Sequence, residues 1–273
     1  MPLSENLRRL IDLNAPLWAG EAEIVRTYWT SPVRNLATDK RWIRLQCWKE
    51  FGGNPDQKKA GGGRLSRLEE QLREWVPQLE ITLDREELRE ELEKVIVEYT
   101  HYCLYASVYD KLLQPGEAKL SAAGLEVWKE EADKAAHGRA MRKNHGRIGS
   151  LAGEFCEGGY CTLFSEGMKL KGQPGIDGEI GNISQRIYND EFDHMMHGVV
   201  GMDRSGLTEE DWKVLERITV EHTTHRIYMR NAQFSHPLSD ARIAEIVSRK
   251  IEPIAFDFAK AETYIAHPAI AAE

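Results

Sequence analysis

After about residue 64, apolar residues recur at helical spacing, and no stretch alternates as a strand would. Leu65, Leu68, Leu72, Trp75, Val76 and Leu79 predict a helix over 64–81, weakened late by Pro77. Thr82 or Asp84 can cap the next helix, with Glu86 and Glu87 in its first turn. It runs to about Leu113 and stops at Gln114-Pro115-Gly116. Ser121 opens another helix to about residue 146, and Gly149-Ser150 breaks it or bends it into a further helix ending near Leu170. Lys171-Gly172-Gln173-Pro174-Gly175 is a turn, and helix resumes over about 178–200. Thr208-Glu209-Glu210-Asp211 caps a helix to about Phe234, and Ser239 opens a last one to about 264. The fold class expected is therefore all-α.

Residues 1–60 are harder to read. Helix is expected near 20–30 and 39–51, and Trp18, Trp29, Trp42 and Trp48 give the segment unusual aromatic weight. Asn54-Pro55-Asp56 and Gly61-Gly62-Gly63 read as a flexible joint. The chain is thus expected to divide into an N-terminal extension (1–60) and a helical domain (61–273), the extension packed over a bundle.

Composition narrows the function. A net charge of -8 argues against a nucleic-acid or anionic-membrane partner. No apolar run approaches the roughly 20 residues that span a bilayer, and Met1-Pro2-Leu3-Ser4-Glu5-Asn6 lacks a signal-peptide layout. A cytoplasmic location is expected. Cys47, Cys103, Cys156 and Cys161 match no zinc-ribbon or CxxC spacing and read as free thiols.

The candidate chemistry lies in two Glu-x-x-His pairs, Glu98-Tyr99-Thr100-His101 and Glu191-Phe192-Asp193-His194. Residues three apart share a helix face, so each carboxylate and imidazole can hold one metal. The motif alone is weak in a chain this rich in Glu, and hairpin symmetry carries the case. Glu157 and Glu191 lie at similar distances on either side of the 171–175 turn, and Glu69 and Glu98 do so around Thr82-Leu83-Asp84. Each hairpin would set a lone Glu opposite a Glu-x-x-His. Glu70 could replace Glu69, and Glu154 could replace or assist Glu157. The neighbours Tyr99, Tyr102, Phe155, Tyr160 and Phe192 are apolar or aromatic, and Gly158-Gly159 opens space for a substrate.

In these residues the chain resembles the ferritin-like di-iron carboxylate superfamily over about 64–200. The resemblance implies a four-helix bundle with extra N- and C-terminal helices. It implies two iron ions, with manganese as the substitute, held by Glu69, Glu98, His101, Glu157, Glu191 and His194. Glu98 or Glu157 would bridge the metals, and Glu98, Glu157 and Glu191 would be the catalytic carboxylates. Asp190 and Asp193 would orient the ligand histidines. The activity implied is a monooxygenase or oxidase acting with dioxygen on a small organic substrate. Its electrons would come from a separate protein, because no flavin, nicotinamide or iron–sulfur motif is visible. A homodimer is one possible assembly.

Other readings compete. The same bundle could store iron or destroy peroxide, and a metal-free helical interaction protein would need no ligands at all. A haem-oxygenase-like bundle could use Asp190-x-x-x-His194. His194-x-x-His197 and His222-x-x-His225 could together hold zinc, which would leave Glu98, His101 and Glu157 without a role. Each Glu could also be an ordinary solvated residue, Glu69 above all. Glu221 and His225 read more simply as a polar stripe on a later helix.

Overall fold

Helix starts are set by side chains that accept from amides with no partner inside the helix. Ser4 accepts from the Leu7 amide, Asn35 and Thr38 form a capping box, and so do Asp84 with Glu87 and Thr208 with Asp211. Ser239 caps in the same way. The structure is a computed structural model that describes residues 2–52, 65, 68–157, 159–203 and 205–266. The expected joint at 54–63 and Gly158 lie outside the described residues.

Among the described residues there are ten α-helices and no strand. They are α1 Glu5–Thr30, α2 Leu36–Phe51, α3 Leu68–Trp75, α4 Arg85–Lys111, α5 Lys129–Cys156, α6 Thr162–Met168, α7 Ile176–Asp203, α8 Glu209–Gln233, α9 Asp240–Val247 and α10 Phe258–Ala266. The protein is all-α, and no described helix is long and apolar enough to cross a membrane.

Several boundaries depart from expectation. α1 begins fifteen residues earlier than the pattern predicts and runs through Pro16. α3 has only 8 residues, none of them buried. Residues 121–128 hold only a short 3-10 turn, and α5 starts at Lys129. α5 kinks at Gly146 (φ 52°, ψ -123°), not at Gly149. The bend carries the Met141 carbonyl to 2.2 Å from where a Cβ on Gly149 would sit, so Gly149 is required there. The helix expected over 239–264 is two helices, separated by a left-handed Arg249 (φ 59°) and by Pro253.

The chain forms two compact units, one of residues 1–34, 129–173 and 180–273, the other of 35–128 and 174–179. This division replaces the expected boundary near residue 60, because α1 is a core helix of the first unit and α2 a core helix of the second. In the first unit α8 packs against α5 and α1, and α1 also meets α6 and α9. Leu7, Leu10, Ile11, Leu17 and Trp18 of α1 and Leu215, Ile218 and Ile227 of α8 are fully or almost fully buried.

A polar seam runs through this core. The Asn14 amide donates to Thr219 Oγ1 at 3.1 Å and accepts from Thr223 Oγ1 at 3.0 Å. Further along, Glu21 is wholly buried and accepts from Arg226 Nε and Arg230 Nε, each at 2.7 Å. Burial alone would raise its pKa, but the two guanidiniums outweigh that and hold it at about 2. Gly159 (φ +54°) closes over this group, and a Cβ there would lie 2.4 Å from both Arg226 Nε and Glu21 Oε2.

In the second unit α2 packs along α4. Trp42 meets Tyr105 edge-on at 6.0 Å, and Phe51 meets Tyr102 at 5.2 Å. Trp48 meets Trp128 at 6.1 Å. Ile43, Cys47, Val95 and Val108 complete the buried surface.

Removing the carboxylate with Glu21→Ala leaves two buried guanidiniums without their partner, and it should cost about 3–5 kcal/mol in urea unfolding. The folded pKa of Glu21 lies below its unfolded value of 4.5, so its stabilisation is complete above that pH and is lost as pH falls toward about 2. Acid unfolding of Glu21→Gln should therefore be less steep than that of the parent across this window.

Candidate metal centre

α2 ends one residue after Glu50. Gly52 takes the left-handed conformation (φ 78°) and its amide closes onto the carbonyls of Trp48 and Lys49. Glu50 therefore sits in the last helical turn, at the negative end of the helix dipole. It is nonetheless buried, at 9% exposure. α4 supplies Glu98, half-buried, and His101, fully buried, on one face three residues apart.

Glu50, Glu98 and His101 converge. One ligand atom from each lies within 4.8 Å of the other two. His101 Nδ1 is 3.7 Å from Glu50 Oε2. The other oxygen, Glu50 Oε1, accepts from Gln46 Nε2 at 2.5 Å one turn back on α2, which fixes how the carboxylate is presented. This is the only such group among the described residues.

The donor set suits a divalent cation. Ion–ligand bonds of about 2.0–2.2 Å place ligand atoms on one ion roughly 3–4 Å apart, so small side-chain rotations would close the group on a metal. Glu50 alone lies at a helix C-terminus, while Glu98 sits in the middle of α4. Hard oxygen ligands with one imidazole favour iron or manganese over copper. Cys47, one turn before Glu50, does not compete. Burial, then Glu50 and Cys103, raise its thiol well above the usual range, so it stays protonated.

The six residues expected as ligands fare differently. Glu98 and His101 are brought together with Glu50, and not with Glu69. Glu69 is an exposed residue at the start of α3, paired with Arg73 at 2.6 Å. α3 is too short and too polar to present it to a core. In the other unit, Glu157 is exposed just past the end of α5, and its amide donates to the Glu154 carbonyl at 3.1 Å. Glu191 is half-buried on α7, close enough to Cys161 to help burial raise that thiol. His194 is exposed on the same helix. Glu157, Glu191 and His194 do not form a three-ligand group within that unit among the described residues. Glu154 is exposed, and its backbone lies against Gly198 of α7.

Glu50 escaped sequence reasoning because residues 1–60 read as an appendage. The available clue is local: it is the one carboxylate in Leu45-Gln46-Cys47-Trp48-Lys49-Glu50-Phe51, a largely apolar run.

Replacing Gln46 with Ala should weaken binding of a divalent metal about 10–100-fold while leaving its stoichiometry intact, because the orienting bond is lost but the ligand is not. Calorimetric titration of Fe(II) or Mn(II) under anaerobic conditions checks this. No family model, no curated protein and no solved structure matches the chain.

Proposed function

We propose that the protein is a non-haem iron oxidoreductase of the di-iron carboxylate kind, which uses dioxygen to oxidise a small organic molecule. The observation that carries this reading is the meeting of Glu50 from one helix with Glu98 and His101 from its neighbour. A lone carboxylate facing a Glu-x-x-His is half of the ligand pattern that such bundles use.

The residues would divide the work. Glu50, Glu98 and His101 would hold the ion and offset its charge, with Gln46 fixing Glu50. Phe51 and Tyr102, the sequence neighbours of Glu50 and His101, meet edge-on, with Tyr99 stacked on Tyr102 at 6.0 Å between ring centroids. These partly exposed rings would offer an apolar surface to a small organic substrate. Iron bound there supplies the activation of dioxygen, which the side chains alone cannot provide. Reducing electrons would come from a separate protein, as the chain carries no visible flavin, nicotinamide or iron–sulfur motif.

Metal analysis of the purified chain, with its absorption spectrum after reconstitution with Fe(II) and exposure to air, tests the proposal. Stoichiometric iron that is lost in Glu50→Ala and Glu98→Ala, with helix content unchanged, supports it, as does oxygen uptake coupled to oxidation of an organic compound. No stoichiometric iron or manganese after reconstitution would overturn it in favour of an interaction protein. Oxidation of Fe(II) with no turnover of any organic compound would overturn it in favour of iron handling.

A further inference from the structure

A cluster of three imidazoles lies in the unit built on α8. His137 of α5 and His222 of α8 bring their Nδ1 atoms to 3.2 Å. Their rings stack with centroids 5.4 Å apart, and the His225 ring lies 4.7 Å from that of His137. His222 and His225 are three residues apart and share a face of α8. Gly138 makes room for the contact: a Cβ there would stand 3.2 Å from His222 Cε1. His222 is only 8% exposed, and His137 keeps 22% of its side chain exposed. Water and ions can therefore reach the group from one side.

Glu221 Oε2 lies 3.7 Å from His137 Nε2. Both Glu221 oxygens also accept from Arg217 Nη1, at 3.3 and 3.4 Å, and the Nδ1 edge of His137 faces His222. Two Nδ1 atoms at contact distance share at most one proton between them, so the pair always presents an unprotonated nitrogen.

The geometry also fits. With metal–nitrogen bonds of about 2.0–2.1 Å, a tetrahedral ion sets two ligand nitrogens about 3.3 Å apart. The Nδ1 pair already stands at that spacing, before any ion is considered.

We propose that His137, His222 and His225 form a separate site for a borderline divalent ion, zinc above all, with Glu221 orienting His137 and water as the fourth ligand. His225 joins by rotation of a ring that already lies against His137. Three imidazoles without a carboxylate ligand select zinc over the harder iron and manganese. The bound ion ties α5 to α8, the two helices that carry the ligands.

The test uses the full chain, stripped with a chelator, in the Glu98→Ala background so that the carboxylate centre does not contribute. Zn(II) is titrated calorimetrically, and Co(II) serves as the optical probe. The expected result is one Zn(II) per chain, a Co(II) spectrum with the intense visible bands of tetrahedral nitrogen coordination, and a melting temperature raised by Zn(II). Adding His137→Ala or His225→Ala should weaken Zn(II) by at least tenfold and abolish the intense bands. Glu221→Gln should weaken Zn(II) while keeping the stoichiometry. Both histidine variants are at partly exposed positions, so they test the site without emptying the core as His222→Ala would. Absence of Zn(II) binding in the Glu98→Ala protein overturns the proposal. So does binding of unchanged affinity and spectrum in His137→Ala and His225→Ala.

Discussion

A carboxylate taken out of water needs positive charge nearby, and the first unit is organised around that requirement. In the first unit the chain supplies the charge itself. Glu21 of α1 lies between two guanidiniums of α8, and all three side chains are almost completely buried. The geometry leaves little freedom: both carboxylate oxygens are engaged, and Gly159 seals the group against water. In the second unit the buried and half-buried groups that converge are two carboxylates and one imidazole, a set that is negative overall while the ring is neutral. One arrangement is complete as built, and the other has the composition of a ligand set.

The helices most visible in the sequence are those with a local start signal and an uninterrupted apolar face. α4 and α8 are predicted within a few residues because Asp84 and Thr208 are strong caps, while Pro115 and Pro237 prevent either helix from running on. α1 is poorly visible because Pro16 and Gly20 argue locally against helix. Burial of Leu7, Leu10, Ile11, Leu17 and Trp18 overrides that preference, since packing outweighs the roughly 3 kcal/mol a helical proline costs. Conversely, 64–81 carries helical periodicity but too much charge to be buried. Its described part is the two-turn helix α3, with no buried residue, followed by a 3-10 turn over 76–78, and its Glu69–Arg73 pair is an ordinary surface contact.

The site was half legible for the same reason. Glu98 and His101 share one helix, so their proximity follows from spacing alone. Glu50 comes from another helix, and choosing it requires knowing that α2 is the helix that packs along α4. Hairpin symmetry pairs helices adjacent in sequence, whereas α4 packs along α2. The histidines repeat the lesson. His222-x-x-His225 is visible in sequence, yet the imidazole that meets it belongs to α5 and not to the His194-x-x-His197 pair. The small Gly138 beside His137 was the one local hint that another ring approaches there.

The unit built on α8 is assembled from separated stretches of chain, and this shapes how it is made. Glu21 and its arginine partners are 205 and 209 residues apart. At a synthesis rate of about 5–20 residues per second, α1 waits on the order of 10–40 s for α8 to leave the ribosome. Throughout that interval its leucines, isoleucines and Trp18 form an amphipathic surface that chaperones would need to shield. α2 and α4, by contrast, belong to a nearly continuous stretch and can close on each other as soon as both have emerged. The order of emergence therefore favours the carboxylate-bearing pair of helices as the first native contact, with the arginine-clamped core completed last.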